Sequence, residues 1–317
     1  MRCALQWPED GGVGKDRRMQ LVRHSTRFLW AVLFAALATG ICRADESASA
    51  GAETEPAPPS VRRAPPRDPG SFEVPANRLG ISPNEPVYFS LGFNEVLNAR
   101  FQFSLKYRPL GPTDDSVHGE HPWNDIYLAY TQTSVWDLES ESKPFYDTSY
   151  RPSIFYQRRD LGDLFGGRFS LRTGFEHESN GKGGVDSRSI NILFVRPSWW
   201  WTLSPRWAVA FSPKAYAYIE KSENEDIADY RGYVDWQLTL ARARDLRVTT
   251  TLRVGLDGHG SMLVDASYPF SEIPVLRAIG LQNGYLHLQY FDGYGETILS
   301  YNRNIAWQLR IGLMLVR

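Results

Sequence analysis

The sequence predicts an all-β protein, an antiparallel transmembrane β-barrel of about twelve strands. Between residues 85 and 317, apolar and polar residues alternate in about twelve runs, each near the roughly 9–11 residues that a tilted strand needs to cross a bilayer. No segment of this region keeps a helical period. The mean hydropathy of -0.38 agrees with a barrel, because strict alternation averages to a polar score.

The N-terminus is predicted to be an export signal, residues 1–44, which is removed. Basic residues precede an uncharged run over residues 28–42, which is too short for a membrane span, and Ala44 offers a cleavage point. Cys3 and Cys42 both lie in this segment, so the mature chain would contain no cysteine. This excludes a disulfide scaffold, a zinc ribbon and a thiol nucleophile.

Residues 45–84 form a second segment, rich in proline, alanine and glutamate. Such a composition cannot bury enough apolar surface to offset the entropy of ordering the chain. We therefore expect a flexible or extended tether with no chemistry of its own.

Residues 85–317 form the predicted barrel. In residues 100–107 the odd positions are apolar or aromatic and the even positions polar, and residues 246–254 and 307–315 repeat this alternation. A soluble sandwich or a lipocalin-like barrel would turn the apolar face inward, whereas a membrane barrel turns it toward lipid. Tryptophans near the ends of the runs favour the membrane barrel, because they suit the interfacial girdle: Trp123, Trp136, Trp199, Trp200, Trp201, Trp207 and Trp307. We therefore expect the protein to be located in the bacterial outer membrane.

Charge and motif content exclude several other functions. The formal net charge is -1 and no basic stripe is present, which argues against nucleic-acid binding. The chain contains no Gly-x-Ser-x-Gly elbow, phosphate loop or dinucleotide fingerprint. His177-Glu178 is not a metalloprotease motif, since position 181 is glycine rather than histidine. We expect loop or lumen positions without a neighbouring serine for the other histidines of the barrel: His118, His121, His259 and His287.

Residues 169–195 carry the candidate chemistry. His177 and Ser179 continue the parity of Phe175, the apolar parity of their strand, and their Cα atoms would lie about 6.6–7 Å apart. Asn191 shares the parity of Leu193 and the apolar run that follows it. A hairpin would bring Asn191 beside His177, so a nucleophile, a base and a polar orienting group would meet on the greasy outer surface.

Several motifs resemble outer membrane phospholipase A over residues 85–317: Tyr130-Thr131-Gln132, His177-Glu178-Ser179-Asn180-Gly181, Ser187-Arg188-Ser189-Ile190-Asn191, Gly293-Tyr294-Gly295-Glu296-Thr297 and Tyr301-Asn302. The resemblance implies a twelve-stranded barrel with its active site facing lipid. It implies Ser179 as nucleophile, His177 as general base and Asn191 as the group that orients the imidazole. The implied activity is hydrolysis of phospholipid acyl esters, of the A1, A2 and lysophospholipase types.

The same resemblance implies Ca²⁺ as cofactor and a homodimer as the active form. It implies calcium ligation by the Ser187 hydroxyl and the Lys182 carbonyl, with a further carbonyl from Ser142 of the partner subunit. Gln132 would be a dimer contact in the membrane. The loop departs from the family pattern because glycine occupies positions 183 and 184, where an acidic residue is expected.

The alternative function is a catalytically silent barrel that serves as a passive channel or structural protein.

Overall fold

The computed structural model describes residues 79–94, 96–112, 118–243 and 245–317. The predicted signal, residues 1–44, and the tether as far as residue 78 lie outside the described residues. Fifteen strands lie within the described part: β1 (Ile81–Ser82), β2 (Val87–Asn94), β3 (Val96–Tyr107), β4 (Ile126–Asp137), β5 (Phe145–Arg158), β6 (Asp163–Leu164), β7 (Gly167–Ser179), β8 (Ser189–Thr202), β9 (Trp207–Phe211), β10 (Lys214–Glu220), β11 (Val234–Arg242), β12 (Arg247–Val254), β13 (Gly260–Pro269), β14 (Tyr285–Tyr294) and β15 (Asn304–Val316).

The long strands close into an antiparallel barrel with twelve strand positions, as predicted. Each long strand pairs with its sequence neighbours, and β15 pairs with β2 to close the cylinder, with Ile311 opposite Leu91. β9 and β10 together occupy one of these positions, as a single strand interrupted at residues 212–213, since β8 and β11 each pair with both. Pro213, which has no N–H to give to a ladder, accounts for the break. The two-residue strands β1 and β6 add short pairings to β3 and β7.

In the described ranges, helical structure occurs in the connections between strands. Two five-residue helices, α1 (Ile227–Arg231) and α2 (Pro274–Ala278), follow β10 and β13. Among the residues described, no helix is both long enough and apolar enough to cross a bilayer.

The period of two separates the faces of the barrel wall, as the sequence predicts. In β15 the residues Trp307, Leu309, Ile311, Leu313 and Leu315 are 39–68% exposed, whereas Gln308 and Arg310 are buried. In β3, Phe103 and Tyr107 face outward while Ser104 and Lys106 are buried. The apolar residues therefore form the outer surface, which is the arrangement of a membrane barrel.

Part of the interior departs from the expected polar lumen. Ile190, Ile192 and Phe194, on the inner face of β8, pack in one apolar cluster that includes Ile227 of α1 and Ile298 of the β14–β15 turn. These two connections supply apolar side chains inside the wall, so β8 is apolar on both faces. The cluster gives β8 a packed support behind its lipid-facing residues.

A buried ion-pair network joins the β14–β15 turn to the wall. Glu296 pairs with Arg310 of β15 and Arg100 of β3, and all three side chains are almost fully buried. Burial by itself would raise the pKa of Glu296, but the two guanidinium groups hold that pKa below its usual value. Arg310 also donates to the side-chain oxygen of Asn98 at 3.0 Å.

Replacing Arg310 by methionine should destabilise the barrel by about 3 kcal/mol or more, because one partner of a buried charged network is removed. Urea unfolding of the refolded protein in lipid vesicles measures this change in the free energy of unfolding. Arg242→Met is the matched control, since its pair with Asp245 is half exposed and should contribute at most about 1 kcal/mol. Equal destabilisation by both variants would contradict the expectation.

Candidate active site

The pairing of β7 with β8 positions the base and its orienting group. His177 lies directly opposite Asn191 in the register, and Ser179 lies opposite Ser189. His177 Nδ1 and Asn191 Oδ1 are 2.8 Å apart. An imidazole protonated on Nδ1 donates this hydrogen bond to the amide oxygen, which leaves the lone pair of Nε2 available to accept a proton.

Ser179 occupies the last position of β7, two residues beyond His177 and on the same face. His177, Ser179 and Asn191 are all half-buried. Within the described residues no hydrogen bond joins the Ser179 hydroxyl to the imidazole. Contacts between nucleophile and base commonly tighten only in the substrate complex.

Side chains next to the site establish which face it occupies. Glu178 points into the barrel, where it accepts a hydrogen bond from Ser149 and pairs with Arg231 at 3.0 Å. Leu193 and Val195, which share the parity of Asn191, are 53% and 41% exposed. His177, Ser179 and Asn191 therefore lie on the outer, lipid-facing wall.

The loop over residues 180–188 is held in shape by the buried side chain of Asn180. Its amide nitrogen donates to the Asp186 carbonyl at 2.8 Å, and its oxygen accepts from the backbone N–H groups of Lys182 and Arg188. Gly181 has a φ of +66°, and a Cβ there would lie 3.0 Å from the Tyr150 ring. Glycine satisfies both constraints, so the motif glycine shapes the connection between nucleophile and loop.

The predicted calcium ligands, Ser187, Lys182 and Ser142, all lie at the end of the barrel where Ser179 lies. The Ser187 hydroxyl donates to the Glu223 carboxylate at 2.9 Å, and the Lys182 ammonium donates to the Tyr146 carbonyl at 2.7 Å. Ser142 is exposed in the β4–β5 turn with a φ of +66°. That turn is at the same end of the barrel as residues 180–188, because successive strands of the barrel alternate in direction.

Hydroxyl, carbonyl and carboxylate oxygens around Ser187 are the hard donors that calcium prefers, so the donor chemistry fits the ion. No cluster of three or more histidine, cysteine or acidic side chains able to hold a metal occurs in the described ranges. Sequence reasoning missed Glu223 as a neighbour of Ser187. It comes 36 residues later, beyond β10, and no local pattern signals the contact.

A second histidine centre corrects one expectation from the sequence. His287 was expected to have no serine nearby, but its Nδ1 is 2.7 Å from Ser90 Oγ and its Nε2 is 2.9 Å from Asp265 Oδ1. Ser90 and His287 are fully buried inside the wall. An acyl ester cannot reach Ser90 there, so this serine–histidine–aspartate group is structural.

Gln132 is a polar side chain on the lipid-facing parity of β4. Its amide oxygen accepts from the Tyr130 hydroxyl at 2.9 Å, and its nitrogen donates to Ser134 at 3.4 Å. In the register it lies opposite Phe103 on one side and Tyr150 on the other. The same Tyr150 lies opposite Ser179, so one strand, β5, separates Gln132 from the candidate nucleophile.

Sequence comparisons identify relatives of this chain. The model of the phospholipase A1 family matches residues 77–315. Phospholipase A1 of Escherichia coli K12 is 30% identical over 224 residues, covering 68% of this chain and 67% of the relative. A Neisseria meningitidis serogroup B protein that carries a provisional phospholipase A1 name is 35% identical over 200 residues, covering 60% of this chain. The chain spans about half of the length of the Neisseria relative (48%) and about two thirds of that of the E. coli relative.

Structural comparisons find the same barrel. Outer membrane phospholipase A from E. coli has a TM-score of 0.61 at 24% identity, covering 75% of this chain and 93% of that chain. The outer membrane phospholipase of Salmonella typhi, described as a dimer with bound calcium, also has a TM-score of 0.61 at 24% identity, covering 76% and 94%. At this identity the likeness establishes the fold.

Proposed function

This chain belongs to the phospholipase A1 family, and from that premise we propose that it hydrolyses acyl esters of membrane phospholipids with Ser179, His177 and Asn191. The hydrogen bond between His177 and Asn191 on the lipid-facing wall is the observation that carries the proposal. The closed barrel and its likeness to outer membrane phospholipases agree with the predicted location in the bacterial outer membrane. Substrate would reach the site sideways from the leaflet.

The reaction follows the serine–histidine scheme. His177 Nε2 takes the proton of the Ser179 hydroxyl as Oγ attacks the acyl carbonyl carbon. The imidazolium then protonates the departing lyso-phospholipid oxygen, and the acyl chain remains esterified to Ser179. Water then gives a proton to His177 as its oxygen attacks this ester. The bond to the seryl oxygen breaks, the imidazolium returns the proton to that oxygen, and the fatty acid is released with Ser179 and His177 regenerated.

Asn191 fixes the tautomer and orientation of the imidazole throughout this cycle. A neutral amide suits the position because an unpaired carboxylate beside hydrocarbon would carry a large desolvation cost. The amide stabilises the imidazolium less than a carboxylate would.

Calcium is the proposed cofactor, held by the Ser187 hydroxyl, the Lys182 carbonyl and a carbonyl at Ser142 of the partner subunit. When bound, the ion supplies positive charge that stabilises the developing oxyanion. The oxygen donors at Ser187 support this assignment. A ligand from a second subunit would make the homodimer the active form.

Gln132 is the proposed dimer contact. A polar amide at a lipid-facing position is stabilised by a hydrogen-bonding partner across a membrane interface, where such bonds contribute about 0.6–1.7 kcal/mol. Gln132→Leu should therefore lower the dimer association constant about 3- to 20-fold. Chemical crosslinking of the refolded protein across a dilution series in detergent measures this. Gln282→Leu, in the exposed β13–β14 connection, is the control, and an unchanged dimer fraction in Gln132→Leu would exclude the contact.

The test of the activity is phospholipid hydrolysis by the refolded full chain, with and without a calcium chelator. Released fatty acid that depends on calcium supports the enzyme. The alternative is a silent barrel acting as a passive channel or structural protein. Ion conductance in planar bilayers together with no hydrolysis would favour a channel, although many charged side chains line and narrow the lumen.

A further inference from the structure

Two arginines lie opposite each other in the register of β7 and β8, on the inner face of the barrel. Arg172 of β7 and Arg196 of β8 are direct cross-strand partners, and both side chains line the central cavity. Like charges directly opposite each other on neighbouring strands are destabilising unless a counter-charge lies between them.

The partners of both arginines are neutral amides. Arg172 donates to Asn84 Oδ1 at 3.0 Å and to Gln157 Oε1 at 2.7 Å, and Arg196 donates to the Gln237 oxygen. Among the described residues neither guanidinium forms a salt bridge. Other arginines of the lumen do pair with carboxylates: Arg100, Arg151, Arg231, Arg253 and Arg310.

The nearest carboxylates are already engaged by other cations. Glu85 pairs with Arg151 at 2.7 Å, and Glu176 pairs with Lys214 at 2.8 Å. Glu85 and Glu176 also attract Arg172, and Glu85 attracts Arg196, but each carboxylate is shared with the cation that it pairs with. The two arginines therefore leave this group with more positive than negative charge. The amide contacts orient the guanidinium groups without supplying any negative charge.

The central cavity, which residues from most of the strands line, has a total volume of about 320 Å³, larger than a tetrahedral oxyanion. Planar guanidinium groups match phosphate oxygens with paired N–H donors. A dianion bound by both would balance the excess positive charge of this group. We propose that Arg172 and Arg196 form a lumenal site for a phosphate-type dianion, either inorganic phosphate or the phosphate group of a monoester. This site lies on the inner face of the wall, and the proposal does not depend on the proposed hydrolase activity.

Isothermal titration of inorganic phosphate into the refolded full chain, in a non-ionic detergent, tests the proposal. We expect saturable binding to the wild type, weakened at least about 10-fold in Arg172→Gln and Arg196→Gln. Arg206→Gln, at an exposed turn between β8 and β9, should bind as the wild type does. Arg196→Lys keeps the charge but loses the paired donors, so it should bind with intermediate affinity. Phosphate should also raise the unfolding temperature of the wild type and of Arg206→Gln only.

A second titration, with glycerol 3-phosphate, identifies the source of the phosphate group. Tighter binding of glycerol 3-phosphate than of inorganic phosphate would assign the site to a monoester, and the reverse order would assign it to the free ion. No saturable binding of either, equal loss in Arg206→Gln, or equal competition by chloride would overturn the proposal. If the glutamine variants fail to fold, unaltered phosphate affinity in Arg196→Lys would overturn it as well.

Discussion

Ser179→Ala should lower phospholipid hydrolysis by at least about 10⁴-fold, because the acyl group then has no oxygen to form the covalent intermediate. The fold should be unaffected, since Ser179 is half-buried at a strand end and its hydroxyl has no partner among the described residues. The measurement is the rate of fatty acid release from mixed micelles by the refolded variant, with the circular dichroism spectrum as a check on folding.

Ser90→Ala is the matched control, because it removes the serine of the other serine–histidine–acid arrangement. We expect its hydrolysis rate to stay within a few-fold of the wild type, with a small loss of stability from the buried hydrogen bond to His287. Full activity in Ser179→Ala, or a collapse of activity in Ser90→Ala alone, would move the reaction from the outer wall to the lumen.

Calcium removal should lower hydrolysis by about 100- to 1,000-fold, the usual effect of losing one source of oxyanion stabilisation. Ser187→Ala should raise the calcium concentration needed for half-maximal activity about 10- to 100-fold, because one oxygen donor is lost and Glu223 loses its hydroxyl partner. The measurement is a calcium titration of fatty acid release in buffered chelator.

Ser271→Ala controls for a generic effect of removing a hydroxyl, since Ser271 lies in the turn that follows β13, at the opposite end of the barrel. Its calcium titration should coincide with that of the wild type. Hydrolysis that is indifferent to chelator in the wild type would remove calcium from the mechanism and leave backbone donors to stabilise the oxyanion.

The sequence predicted most of the wall, because strand periodicity is local information. The alternation in residues 100–107 and 307–315 assigned each side chain to its face, and the parity of His177, Ser179 and Asn191 placed them outside. Parity alone could not describe β8. Ile190 and Ile192 are apolar and point inward, since they pack against connections that lie far away in the sequence.

Contacts between distant segments were beyond the reach of sequence patterns. Ser90 and His287 are 197 residues apart, so the period of two assigned them a face but could not pair them. The same limit applies to Glu223 beside Ser187. Both contacts depend on the closure of the barrel and on how its connections fold, and these are properties of the whole chain.

The direct pairing of His177 with Asn191 requires that the parity of β7 be kept over its whole length. Inserting or deleting one residue in β7 while its ladder with β8 is kept would exchange the two faces from that point on. Glu178 would then meet hydrocarbon, and the seryl oxygen would be enclosed among ion pairs. An added residue in a connecting loop, by contrast, leaves the ladder, and with it the position of His177 beside Asn191, unchanged.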